Sequence, residues 1–105
     1  MIPYFKVRGQ SMEPWVKDGA FVLIDRMSYL FFKPKIGHVV LVRHPKKQNL
    51  LLIKRIVKRE GDRYWVEGDS PSKSTDSRHY GWLKRGFLMG KVIHKTGSLA
   101  LGILS

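Results

Sequence analysis

Short runs of valine, isoleucine, leucine and aromatic residues alternate along this chain with glycine, proline, aspartate and other polar residues. Runs of this kind between turn-forming residues are typical of β-strands, because β-branched and aromatic side chains pack well on a pleated surface. The pattern predicts strands at residues 4–8, 21–26, 38–44, 50–58, 63–67 and 87–94.

Short strands in this succession predict an all-β fold with a strongly coiled sheet or a barrel-like form. The length of 105 residues suits one domain, so we expect a single compact domain over residues 1–105. Glu60-Gly61-Asp62 predicts a hairpin turn between the fourth and fifth strands. Residues 27–35 fit no strand, and we interpret them as a loop with an apolar lip.

The fourth predicted strand carries a lysine in the middle of an apolar face. Side chains alternate between the two faces of a strand, so Lys54 shares a face with Leu50, Leu52 and Ile56. Lysine is rarely buried unless it is paired or functional. Periodicity alone leaves two interpretations open: an edge-strand lysine whose ammonium reaches water, or a functional lysine in apolar surroundings.

Two further stretches carry candidate chemistry. Ser11 lies in the sequence VRGQSMEPW, with no histidine within twenty residues, and on its own it is equally well explained as a turn residue. Residues 66–81 are dense in glycine, serine, aspartate and proline, a composition typical of loops rich in side-chain to backbone hydrogen bonds. Such a loop is either an ordinary polar turn or a hydrogen-bonded scaffold behind a site.

The charge balance is the most unusual bulk property of the chain. Twenty lysines and arginines against eight acidic residues give a net charge of +12, which favours contact with nucleic acid or with an anionic lipid surface. The absence of cysteine excludes disulfides and thiolate chemistry. The four histidines lack the spacing of metal ligands, so we expect neither a metal nor another cofactor.

These stretches together resemble the catalytic domain of the signal peptidase I family, serine proteases that use a Ser/Lys dyad. GQSMEP resembles the family's nucleophile segment, LIKRIVKREGD its lysine segment and GDSPSKSTDSRHYG its Gly-Asp-Asn…Ser-x-Asp-Ser-Arg segment. VKDGAFVLID, KPKIGHVVLV and GFLMGKV resemble the remaining segments, in family order, from Val7 to about Val92. The chain departs from the family pattern at Trp15, Ala20, His38 and Ser70, which affects the expected substrate preference more than the mechanism.

The resemblance implies that Ser11 is the nucleophile and Lys54 the general base of a serine endopeptidase that forms an acyl-enzyme. A lysine accepts a proton only when it is neutral, yet the pKa of a free lysine is about 10.4. Burial lowers the pKa of lysine by about 3 units or more in documented cases. The apolar strand face around Lys54 therefore gives this assignment a physical basis.

The resemblance also implies supporting roles. The backbone N–H of Ser11 would contribute to an oxyanion hole beside Gly9, which takes the place of a serine hydroxyl donor found in some members. Ser74 would orient the lysine through a hydrogen bond. A structural ion pair is implied for Asp76 and Arg78, with Arg55 joining it.

The implied substrate is a precursor protein, bound as an extended peptide and cut to remove an N-terminal signal or pro-segment. Within the family, the chain is similar to the small, anchorless proteases that mature nickel superoxide dismutase, in its brevity and in its STDSRHYG segment. A membrane-associated signal peptidase that cuts secretory preproteins is the alternative. A self-cleaving repressor domain shares the dyad, but it would normally follow a DNA-binding domain.

The longest apolar runs, at residues 50–53 and 99–104, are far shorter than the roughly 18 to 20 residues that cross a bilayer. We therefore expect a soluble, cytoplasmic chain, or one in peripheral contact with an anionic membrane. A small basic β-barrel that binds nucleic acid is the hypothesis from another class. It accounts for the charge and for Trp15, Trp65 and Trp82, but it leaves Ser11 and Lys54 without a role.

Overall fold

The computed structural model describes residues 4–96, which form one antiparallel sheet of seven strands that curls into half a barrel. The strands lie in the order β1-β2-β7-β3-β4-β5-β6. Their bounds are β1 Tyr4–Lys6, β2 Phe21–Asp25, β3 Val39–Arg43, β4 Leu51–Glu60, β5 Arg63–Glu67, β6 Leu83–Lys84 and β7 Leu88–Lys95. Two one-turn α-helices, α1 at Ser28–Phe31 and α2 at Ser77–Tyr80, and two 3-10 turns, at Pro71–Lys73 and Arg85–Phe87, complete the fold.

The predicted all-β fold is confirmed, and all six predicted strands are present, β5 with the predicted ends and the other five with shifted ends. The prediction was wrong in two places. The two-residue strand β6 was missed, since so short a strand has no periodicity to detect. Part of the predicted loop 27–35 forms α1, where the Asp25 side chain accepts a hydrogen bond of 3.0 Å from the Ser28 N–H. Residues 1–3 and 97–105 of the predicted domain lie outside the described residues.

The core has one hydrophobic cluster on each face of the sheet. Strand β3 runs through the centre, and its alternating side chains supply both clusters: Val39 and Leu41 enter one, Val40 and Val42 the other. Each such side chain stabilises the fold by about 1.5–3 kcal/mol when fully buried. This two-sided burial explains why β3 has a continuous apolar run instead of an alternating one.

Strand β4 has a free flank near its start, and that flank creates room for a site. It pairs with β3 along residues 51–55, but its pairing with β5 begins only at Arg55. Residues 50–54 therefore line a cavity together with the loop that follows β1. No helix formed by residues 4–96 is long and apolar enough to cross a membrane.

Candidate active site

The loop between β1 and β2 carries Ser11 and is tied down at both ends. The Val7 N–H donates to the Ala20 carbonyl over 2.7 Å, which closes the base of the loop. Next to Ser11, the Met12 side chain is buried in the core cluster that contains Leu41. Gly9 has a φ of +89°, a left-handed conformation that glycine adopts without strain. The core and these closures together fix where the Ser11 side chain points.

Lys54 lies opposite Val40 in the β3–β4 register, and its side chain turns toward the Ser11 loop. Its exposed fraction is only 2%, so the ammonium does not reach water as that of an edge-strand lysine would. The distance from Lys54 Nζ to Ser11 Oγ is 2.8 Å, a hydrogen bond between residues 43 positions apart in the chain. The structure thus brings together the two residues assigned to the dyad.

The surroundings of Lys54 favour its neutral form. Burial lowers the pKa of Lys54 from 10.5 to about 8, because removal from water disfavours the ammonium. The nearby Asp76 carboxylate raises this pKa, and the Arg78 guanidinium lowers it. The balance leaves a substantial fraction of neutral amine at mildly alkaline pH, and a neutral amine has the lone pair that a general base needs.

Asp76 is fully buried and organises the loop behind the lysine. Its carboxylate accepts hydrogen bonds from the Ser74 hydroxyl at 2.5 Å and the Gly68 N–H at 2.7 Å, and it forms an ion pair with Arg78. Burial raises the pKa of Asp76, but the hydrogen bonds from Arg78, Ser74 and Gly68 outweigh it and hold that pKa well below its usual range. The Asp76–Arg78 pair expected from the sequence is therefore present in the structure.

The hydrogen-bond partners of Ser74 and Arg55 differ from those that the family resemblance implied. The Ser74 hydroxyl donates to Asp76, and no hydrogen bond joins it to Lys54 within residues 4–96. The Ser74 hydroxyl therefore holds the Asp76 carboxylate, whose charge acts on the pKa of Lys54. Arg55 does not join the Asp76–Arg78 pair. Arg55 instead donates two hydrogen bonds, of 3.0 and 2.9 Å, to Asp69, because its side chain points to the opposite face of β4 from that of Lys54.

The loop after β5 also clamps the nucleophile loop, through residues that sequence reasoning did not assign. The Ser70 N–H donates to the Ser11 carbonyl over 2.8 Å, and the Ser70 hydroxyl donates to the Glu13 carbonyl over 2.7 Å. A Cβ on Gly68 would lie 2.3 Å from Ser74 Oγ and 2.7 Å from the Ser11 carbonyl oxygen. Only glycine fits there, and the Gly-Asp pair of the loop was the signal that could have identified it.

Trp15, a departure from the family pattern, lies close to two cations. The Arg55 guanidinium lies 5.5 Å from its ring centre and the Lys95 ammonium 4.2 Å, both within the range of cation–π attraction. Trp15 also packs against the core cluster beneath the Ser11 loop. The ring therefore connects the nucleophile loop to β4 and to β7.

The backbone N–H of Ser11 is the donor that the family resemblance implies for an oxyanion hole. The Ser11 N–H has no hydrogen-bond acceptor among residues 4–96, whereas the Gly9 N–H donates to the Asp18 carboxylate over 2.8 Å. Of residues 9 and 11, which the resemblance places at an oxyanion hole, only Ser11 has a backbone N–H that is free to donate to a substrate oxygen within residues 4–96. Gly9 supplies no side-chain donor.

A cavity of about 250 Å³ opens beside the dyad. Its walls come from the edge strand β1, the Ser11 loop and the free flank of β4, and most of them are apolar. The lining residues are Phe5, Lys6, Val7, Arg8, Ser11, Met12, Leu41 and residues 50–54. A space of this kind between two unpaired strand edges suits an extended peptide with small side chains.

Several named proteases are similar in sequence to this chain. The family model of the signal peptidases, peptidase S26, matches residues 1–63. The mitochondrial ATP-independent inner membrane protease subunit 1a of Arabidopsis thaliana is 33% identical over 83% of this chain and 66% of its own. The mitochondrial inner membrane protease subunit 1 of Mus musculus is 28% identical over 83% of this chain and 64% of its own. The chain thus spans a little under two thirds of the length of these two relatives.

A bacterial protein shares a shorter stretch. The signal peptidase I of Aquifex aeolicus (strain VF5) is 33% identical over 55% of this chain and 23% of its own. The matched segment of the family model contains both Ser11 and Lys54. This chain belongs to the signal peptidase family, peptidase S26.

Proposed function

We propose that this chain is a serine endopeptidase in which Ser11 is the nucleophile and Lys54 the general base. The observation that carries the proposal is the 2.8 Å contact between Lys54 Nζ and Ser11 Oγ, made by a lysine that is almost wholly buried. A serine hydroxyl becomes nucleophilic when an adjacent base takes its proton. A desolvated lysine beside it is such a base, with no histidine required.

The reaction follows from the positions of these groups. Neutral Lys54 accepts the Ser11 proton as Oγ attacks the substrate carbonyl, and the Ser11 N–H stabilises the oxyanion. Collapse breaks the C–N bond, and the Lys54 ammonium returns its proton to the departing amine. Lys54 then takes a proton from a water that attacks the acyl-enzyme. As the acyl C–O bond breaks, Lys54 returns that proton to Ser11 Oγ and the carboxylic product leaves.

The substrate class we propose is a precursor protein that loses an N-terminal signal or pro-segment. The cavity beside the dyad has room for small side chains, and the edge of β1 offers free backbone groups to an extended peptide. The relatives named as inner membrane proteases and signal peptidase I support precursor processing in general. The nickel superoxide dismutase precursor is the specific candidate, from the STDSRHYG segment of the chain.

Incubation of the purified chain with candidate precursors tests this proposal. We expect one new N-terminus, mapped by mass spectrometry, in a precursor that carries small residues before the cut. The nickel superoxide dismutase precursor and secretory preproteins should be compared side by side, with the Ser11→Ala variant as the control. Cleavage that persists in Ser11→Ala, or no cleavage of any precursor or model peptide, would contradict the proposal.

The pH dependence of cleavage should follow the titration of Lys54. Because the neutral amine is the active form and burial lowers its pKa to about 8, kcat/KM should rise with pH and level off above about 8. On the acid side the slope should be about tenfold per pH unit. Initial rates with a short peptide across this range measure the profile. A midpoint near the free-lysine value of about 10.4, or near the histidine value of about 6.5, would contradict the assignment.

A further inference from the structure

The charged side chains on the rim of the cavity beside the dyad are all basic. Apart from Lys54, the charged residues that line the cavity are Lys6 and Arg8, and no acidic residue lines it. Both are exposed, and neither forms an ion pair with a carboxylate of residues 4–96. The place where a peptide would bind therefore presents two cations that the described part of the chain does not pair.

The acidic residues of the Ser11 loop do not balance these cations at the cavity. The Asp18 carboxylate accepts a hydrogen bond of 2.8 Å from the Gly9 N–H, and Glu13 is half-buried. Neither acidic residue lines the cavity. Complementary charge across an interface selects one partner over another. A rim of one sign therefore favours a ligand of the opposite sign.

Lys6 and Arg8 project from the same face of the chain. Phe5 and Val7 pack against the core cluster. Because side chains alternate along an extended segment, Lys6 and Arg8 point to the opposite face. Strand β1 lies at the edge of the sheet, so its outer flank is free to pair with a peptide. In such a pair, side chains directly opposite each other lie on the same face.

We propose that Lys6 and Arg8 select an acidic side chain in the precursor, at the position between two small residues that enter the apolar cavity. A peptide along β1 alternates as β1 does, so the side chain between two cavity-facing residues lies on the face of Lys6 and Arg8. Opposite charges across paired strands stabilise the pairing, and like charges destabilise it. Aspartate or glutamate at this position would therefore strengthen binding, and lysine would weaken it. The inference rests on the proposed function, because it names a feature of the same substrate.

A series of short peptides tests the selection. The peptides carry alanine, a variable residue and alanine before the cut, with glutamate, glutamine or lysine as the variable residue. We expect kcat/KM to fall in that order, with glutamate about tenfold above lysine at low ionic strength. The difference should lie mainly in KM, since the contact is made alike in the ground state and the transition state. It should shrink in about 1 M salt, which screens exposed charges. Equal kcat/KM for the three peptides would overturn the inference.

Reversal of the rim charge tests whether these two residues make the selection. In the double variant Lys6→Glu, Arg8→Glu the order should invert, so that the lysine peptide is cleaved better than the glutamate peptide. The control pair Lys33→Glu, Lys35→Glu changes the net charge equally, at two exposed residues that do not line the cavity. The control should keep the wild-type order. Inversion in both pairs, or in neither, would assign the preference to something other than the rim and overturn the inference.

Binding to the Ser11→Ala variant separates this inference from the peptidase assignment. That variant keeps Lys6 and Arg8 but lacks the nucleophile, so fluorescence anisotropy of labelled peptides measures binding alone. The glutamate peptide should bind about tenfold more tightly than the lysine peptide. Equal affinities would overturn the charge selection even if the wild-type chain cleaves both peptides. Selective binding without any cleavage by the wild-type chain would support the charge selection and contradict the peptidase assignment.

Discussion

Replacement of Lys54 by methionine is expected to lower peptide cleavage by about a thousandfold or more while the fold stays intact. Methionine has about the length of the aliphatic part of lysine but has no basic nitrogen. No base then lies beside Ser11 to take the proton of its hydroxyl. Stability should be unchanged or higher, because replacing a buried ionisable group by an apolar one of similar volume is often neutral or stabilising. Loss of activity without loss of stability separates a catalytic role for Lys54 from a structural one.

Lys58→Met is the matched control for Lys54→Met. Lys58 lies on the same strand and is exposed, with its ammonium over the Trp65 ring at 5.1 Å. Rates with a short peptide and thermal midpoints should be measured for both variants. The double variant Ser11→Ala, Lys54→Met should be no slower than either single variant, since residues that act as one unit are strongly non-additive. Full peptidase activity in Lys54→Met would contradict the assignment of Lys54 as the general base.

The strands could be predicted because their information is local. Alternation and turn residues located all six longer strands, and the lysine inside an apolar face marked Lys54 before any fold was known. The contact between Lys54 and Ser11 could not be deduced from spacing, because it depends on how a curled sheet brings the β1–β2 loop across β4. The family resemblance supplied that pairing, and in the structure Lys54 Nζ lies 2.8 Å from Ser11 Oγ.

The polar loop shows where prediction from sequence fails. Its composition indicated hydrogen bonding, but it could not say which carboxylate meets which arginine. Arg55 and Lys54 are adjacent, so their side chains point to opposite faces of β4. Arg55 therefore pairs with Asp69, whereas Lys54 lies near Asp76. The need for glycine at Gly68 is likewise a property of two loops in contact, which no local pattern encodes.

Asp76→Asn is expected to be the most destabilising single substitution among the supporting residues. Asp76 is fully buried and accepts hydrogen bonds from Ser74, Gly68 and Arg78. An asparagine amide can accept at one oxygen only, and its NH₂ group would face donors. Loss of one partner of a buried ion pair costs about 3–5 kcal/mol, so the thermal midpoint should fall by about 12 °C or more.

The same substitution should change how stability depends on pH. The hydrogen bonds hold the pKa of Asp76 below its unfolded value of about 3.8, so their contribution is complete above that value and is lost as the pH falls below it. Wild-type stability should therefore decline on acidification more steeply than that of Asp76→Asn, which has no proton to gain at this position. Urea unfolding from neutral to acid pH measures both curves.

Asp62→Asn is the matched control, since Asp62 is exposed at the tip of the β4–β5 hairpin. It should change the free energy of unfolding by less than about 0.5 kcal/mol, as surface substitutions usually do. The two variants differ only in whether the lost carboxylate is buried among donors. If Asp76→Asn unfolds at the same urea concentration as Asp62→Asn, the Asp76 network does not stabilise the loop. The support of Lys54 would then have to come from β4 and β3 alone.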